Sequence, residues 1–130
     1  MVSTHIGVVI GATRDAVYAF ARDPQNLPRW ATGLAQGEIE TTEGDRVAID
    51  SPMGRVTVVF APHNAYGVLD HEVTLPDGVV TDNPFRVLGH PDGAEVVFTV
   101  RQGDASDADF ARDTAAVRED LERLKALLEA

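Results

Sequence analysis

The feature that most constrains this chain is a change of period near residue 106. From there apolar residues step by four and three, as Phe110, Thr114, Val117, Leu121, Leu124 and Leu128, which is one continuous face of a helix. Ser106 opens the segment with Asp109 three residues on, a capping-box spacing with Asp in place of Glu. Acidic residues crowd the first turn, and Arg123 and Lys125 lie near the end, as the helix dipole favours. The stripe spans too few heptads for a coiled coil, so this long amphipathic helix must bury its face against the rest of the same chain.

What precedes it is β-like. Residues 4–12, "THIGVVIGA", read as a strand, and further strand signals run over Gln36–Thr42, Arg46–Ser51, Arg55–Ala61, Gly67–Leu75, Val79–Leu88 and Ala94–Arg101. The links "EGD", "SPMG", "PHNA", "LPDG" and "HPDG" carry turn chemistry and are too short for parallel crossovers, so an antiparallel meander is expected. After the first strand, Thr13 can cap a helix whose stripe is Val17, Phe20 and Ala21 and which ends before Pro24. "DPQNLPRWATGL" then reads as a turn with one further helical turn. The result is an α+β chain, about seven antiparallel strands with two short helices after the first and one long helix at the end. A sheet curved round that helix, closed at one end by the short helices, can enclose a cavity.

With 130 residues the chain is expected to form one domain, residues 1–130. Its net charge of -10 argues against nucleic acid or an anionic membrane face as a partner. There is no cysteine, hence no disulfide and no thiolate chemistry. No export signal or membrane-spanning run is seen, so a cytoplasmic location without membrane insertion is expected.

"VYAFARDPQNLPRW" (Val17–Trp30), "GVLDHEVTLPDG" (Gly67–Gly78) and "DFARDTAAVREDLERLKALLEA" (Asp109–Ala130), taken in this order of elements, resemble the START / polyketide-cyclase superfamily (SRPBCC, the helix-grip or birch-pollen-allergen-like fold). The resemblance covers essentially the whole chain. It implies a helix-grip fold and a pocket for a hydrophobic small molecule, lipid-, isoprenoid- or polyketide-like. Members include carriers, polyketide cyclases and chaperone-assisting proteins, so three functions follow: a carrier or sensor, a cyclase/dehydrase-like enzyme, or a protein-interaction module. No two-histidine, one-carboxylate spacing is present, so no metal and no cofactor is carried over. Monomer and homodimer both remain open.

The candidate ligand-binding residues are Trp30, Met53, Phe60, His71, Phe85, Val117 and Leu121. In the Arg55–Ala61/Gly67–Leu75 hairpin, opposed positions summing to 127 or 129 put Val56, Val58 and Phe60 on one face with Leu69, His71 and Val73. Arg55 then lies outside, within reach of Glu72. His71 points inward among apolar residues, where burial favours the neutral ring. Two readings stay open for it: a core histidine bonded to backbone, or a polar anchor or general base in a pocket. Trp30 walls the cavity mouth or plugs the core. Met53 and Phe85 are candidate linings, and Arg29 and Arg86 are the cations available to an acidic ligand. No carboxylate is expected in the pocket, because Asp50, Asp70 and Glu72 read as outward or at strand edges. His5, His63 and His90 have no metal-ligand spacing, and no nucleophile elbow, phosphate loop or dinucleotide fingerprint occurs.

Overall fold

The computed structural model describes residues 1–32, 34–35, 37–42 and 46–130. β1 (Ser3–Ile10) alternates so that Ile6, Val8 and Ile10 are buried. Thr13 caps α1 (Arg14–Arg22), its hydroxyl accepting from the Ala16 amide at 3.2 Å. Asp23 caps a 3-10 turn (Pro24–Asn26) and α2 (Leu27–Trp30) follows at once. The remaining strands are β2 (Ile39–Thr41), β3 (Arg46–Ser51), β4 (Gly54–Phe60), β5 (His71–Thr74), β6 (Val80–Asn83), β7 (Phe85–His90) and β8 (Gly93–Arg101). α3 (Asp107–Glu129) closes the chain, with the Ser106 hydroxyl accepting from the Asp109 amide at 3.1 Å as the sequence indicates. Gln36, where a strand was expected to begin, and the turn at 43–45 lie outside the described residues.

All pairings are antiparallel, in two hydrogen-bonded groups, β2-β3-β4-β5-β6 and β1-β8-β7. The groups join along one line. The Leu69 amide donates to Phe85 O and the Val87 amide to Gly67 O, both at 2.8 Å, with Val68 opposite Arg86. The Val68–Arg86 register continues that of His71 with Asn83. β6 and β7 are therefore one strand bent at Pro84, which has no amide proton for the ladder. Among the described residues the sheet is a continuous curved surface of seven strands, as expected, with the Val79–Leu88 segment broken in its middle. Gly67 permits the join: its φ is +74°, and a Cβ there would sit 2.2 Å from Val87 O.

The hairpin register differs from the expectation. Phe60 faces His71 and Val58 faces Val73, a sum of 131, so the inward face is right but shifted by two residues. The cause is the loop between the strands. Asn64 holds it, its Oδ1 accepting from the Tyr66 and Val68 amides and its Nδ2 donating to Pro62 O and Val68 O. Residues 67–69 then leave β4 and pair with β7 instead. The expected Arg55–Glu72 contact is lost as well: Arg55 pairs with Asp50, its neighbour across β3–β4, and with Glu40, while Glu72 stands opposite Val59.

α3 packs along the sheet unevenly. Its buried residues are Leu121 and Leu124, in the second half. There Lys125 Nζ donates to Val9 O at 3.0 Å, and Glu129 accepts from the Gly11 amide at 2.7 Å. Arg123 donates to Trp30 O at 3.0 Å, tying the helix to α2. Phe110, Thr114 and Val117, on the same stripe, are only partly buried. The continuous apolar face is real, but it is not packed as core throughout: at Val117 and Leu121 it roofs a space.

Candidate functional site

That space is a cavity of about 310 Å³ between the sheet, α2 and α3, at the lower end of the roughly 300–1,000 Å³ typical of small-molecule sites. Leu27, Trp30, Ala31, Phe60, His71, Val73 and Leu121 form its buried part. Six of the seven candidate residues line it: Trp30, Met53, Phe60, His71, Val117 and Leu121. Phe85 does not. It is wholly buried behind the wall, its ring packed against those of Trp30, His71 and Phe98 at centroid distances of 5.9, 6.4 and 5.3 Å. Met53, at the β3–β4 turn, is 55% exposed and marks the mouth.

His71 owes its setting to a rearranged ladder. At the bend, the Phe85 amide donates not to Leu69 O but to Asp70 Oδ1, at 2.9 Å. The same carboxylate takes Arg86 in a two-point contact, Nε to Oδ1 at 2.9 Å and a terminal nitrogen to Oδ2 at 2.8 Å. Leu69 O is thereby free of Phe85, and His71 Nδ1 lies 2.9 Å from it. A carbonyl only accepts, so Nδ1 carries the proton. Nε2 is left with a lone pair, and no hydrogen bond meets it among the described residues. His71 is 7% exposed, and burial pushes its pKa down, against smaller upward pulls from the Leu69 carbonyl and from Asp70 and Asp82. The ring is a neutral acceptor in the cavity wall. Asp70 is held below the usual carboxylate range, first by the Arg86 hydrogen bond, with burial opposing and the Phe85 amide assisting.

Trp30 is 4% exposed, and its Nε1–H is a buried donor without an acceptor and without surface open to the cavity. The mouth is more acidic than the sequence reading allowed. Asp82, Asp113 and Asp120 line the cavity, against one lining cation, Arg101. Asp120 is bonded to Arg123 at 2.9 Å. No ion pair joins Asp82 or Asp113 to another described residue. Asp113 and Asp120 lie four and three residues from Val117, so helical spacing alone would have placed them at the cavity's edge. Asp82 follows from the bend at Pro84, which the sequence does not announce. Arg29 and Arg86, the cations considered for an acidic ligand, are elsewhere. Arg29 lies over the Phe20 ring at 5.1 Å, and Arg86 is committed to Asp70.

Among the described residues no group of three or more His, Cys, Asp or Glu could hold a metal ion. No helix among the described residues is long and apolar enough to cross a membrane.

A family model described as "Polyketide cyclase / dehydrase and lipid transport" matches residues 1–129. A search of curated proteins finds no match. Among solved structures, the Aha1 dimer from Colwellia psychrerythraea superposes with a TM-score of 0.79 at 17% identity, covering 99% of this chain and 97% of that one. DynU16, from the dynemicin biosynthetic locus, gives 0.77 at 16% identity, over 98% of this chain and 47% of its own. This chain thus spans about half of DynU16. Protein BH1534 of Bacillus halodurans gives 0.73 at 15% identity, over 99% and 98% of the two chains. At such identities these likenesses show the helix-grip fold alone.

Proposed function

The chain belongs to the polyketide cyclase/dehydrase and lipid-transport family, and we propose that it binds a hydrophobic small molecule in the cavity beneath α3, as a carrier or sensor. One observation carries this reading: Val117 and Leu121, in the middle of the apolar stripe of α3, roof an open space of about 310 Å³ walled mainly by apolar side chains. Roofing empty space forgoes burial that a packed core would provide, so an occupant of matching chemistry would recover it. A module acting only through its surface has no need of such a space.

The test is a thermal-unfolding screen against isoprenoids, sterols, fatty alcohols and aromatic polyketides. A ligand at a hundred times its Kd adds about 2.7 kcal/mol, or several degrees for a chain of this size. Val117→Trp, which fills the roofed space, should abolish the shift. Shifts that survive that substitution would locate binding elsewhere, and no shift with any class would refute the reading.

The neutral His71, with one nitrogen anchored and the other unmet, also fits a general base for a cyclase-like reaction, in which the pocket holds a flexible substrate near its reactive geometry. Under that reading His71→Leu abolishes turnover of a bound polyketide while apolar binding survives.

A further inference from the structure

We infer that the ligand is an uncharged hydrophobe bearing a hydroxyl, whose proton is donated to His71 Nε2, and that the acidic mouth turns carboxylates away. The inference rests on the ligand-binding reading above and narrows it to a chemical class.

The argument begins at Leu69. Its carbonyl has lost the Phe85 amide to Asp70 and holds the Nδ1 proton of His71. Swapping tautomers would turn two acceptors towards one another at Leu69 O, so the ring presents Nε2 to the cavity as an acceptor. A ligand ketone or ether oxygen placed there would set lone pair against lone pair. A hydroxyl satisfies the site.

Charge discriminates next. A carboxylate entering past Asp82 and Asp113, with Asp120 already paired to Arg123, meets Arg101 as the one lining cation among the described residues, in a protein of net charge -10. Inside it finds no lining cation among the buried residues, and an unpaired buried charge is costly. An ammonium would pass the mouth more readily but faces the same desolvation, with a single neutral acceptor to meet it.

The experiment compares three probes of one ring system, followed by calorimetry or intrinsic fluorescence at pH 7.5: 2-naphthol, 2-methoxynaphthalene and 2-naphthoate. Naphthol should bind roughly three- to tenfold tighter than methoxynaphthalene, the worth of one hydrogen bond, although the ether is the more apolar. Naphthoate should bind weakest. In His71→Leu the naphthol and ether affinities should converge. The Asp82→Asn/Asp113→Asn double variant, changed only at exposed positions, should raise naphthoate affinity relative to naphthol, most strongly at low salt. Binding of the ether as tight as naphthol would overturn the hydroxyl assignment while leaving the cavity reading intact. Naphthoate as the tightest probe would overturn the charge argument, again without touching that reading. Failure of all three to bind would remove both.

Discussion

Replacing Asp70 tests whether its carboxylate serves chiefly as a substitute for a ladder partner or as half of a surface ion pair. Its Oδ1 takes the Phe85 amide, and both oxygens take Arg86. In Asp70→Ala the Phe85 amide loses a charge-assisted acceptor, which costs about 1.5–3 kcal/mol. The Arg86 pair contributes less, about 0–1 kcal/mol, because the Arg86 and Asp70 side chains are 49% and 35% exposed. The sum expected for Asp70→Ala is therefore about 1.5–4 kcal/mol. At an unfolding entropy of roughly 2.1 cal/mol/K per residue, that lowers Tm by about 5–15 °C. Arg86→Ala removes the pair but leaves the amide its acceptor, and should lower Tm by less than about 4 °C. Reversible thermal unfolding followed by circular dichroism at pH 7 compares the two, with urea unfolding as an independent measure of ΔG. An Arg86→Ala loss equal to that of Asp70→Ala would refute the ladder-substitute account. So would an Asp70→Ala shift under about 2 °C.

Two further outcomes follow from buried groups. His71 has a folded-state pKa below its unfolded value of about 6.5, so below neutrality the unfolded chain binds a proton that the folded chain refuses. Its contribution to stability is therefore intact above that value and falls as pH drops through and below it, whereas the Asp70 contribution persists until pH falls below the ordinary carboxylate range; urea unfolding between pH 7.5 and 5 should show a decline that His71→Leu flattens. Leu121 is both core and cavity wall, so Leu121→Ala should cost about 2–5 kcal/mol and admit bulkier probes in the same binding assay.

The parts of this molecule visible in its sequence are those written in local periods. Ser106 and the four-and-three spacing announce α3, and alternation places Ile6, Val58, His71 and Val73 on the inner face, because each depends on residues a few positions apart. The two-residue shift in the β4–β5 hairpin is of another kind. It arises when Asn64 closes its loop and Gly67 lets the backbone meet Val87, which commits residues 67–69 to a different neighbour. Asp70 looked like an outward acid because alternation treats a side chain as belonging to one face, whereas this one replaces a main-chain acceptor. Phe85 looked like cavity wall for the mirror reason: it is inward, but His71, Trp30 and Phe98 stand around it. The acids at the mouth divide the same way, with Asp113 and Asp120 readable from the Val117 stripe and Asp82 dependent on the bend at Pro84.

The uneven seating of α3 separates two things that one helix might have coupled. Main-chain amides around Leu121–Lys125 are backed by the buried Leu121 and Leu124 and by the Lys125–Val9 bond, so their exchange with solvent is expected to need a larger opening than that of the first turns. Amides ahead of Val117 have no buried side chain beneath them and can exchange through a local opening that leaves the rest intact. If the cavity takes the ligand proposed above, the loosely held half is where an opening could admit it at a small fraction of the global unfolding free energy. Cohesion would then rest on one half of the helix and exchange with the solvent on the other.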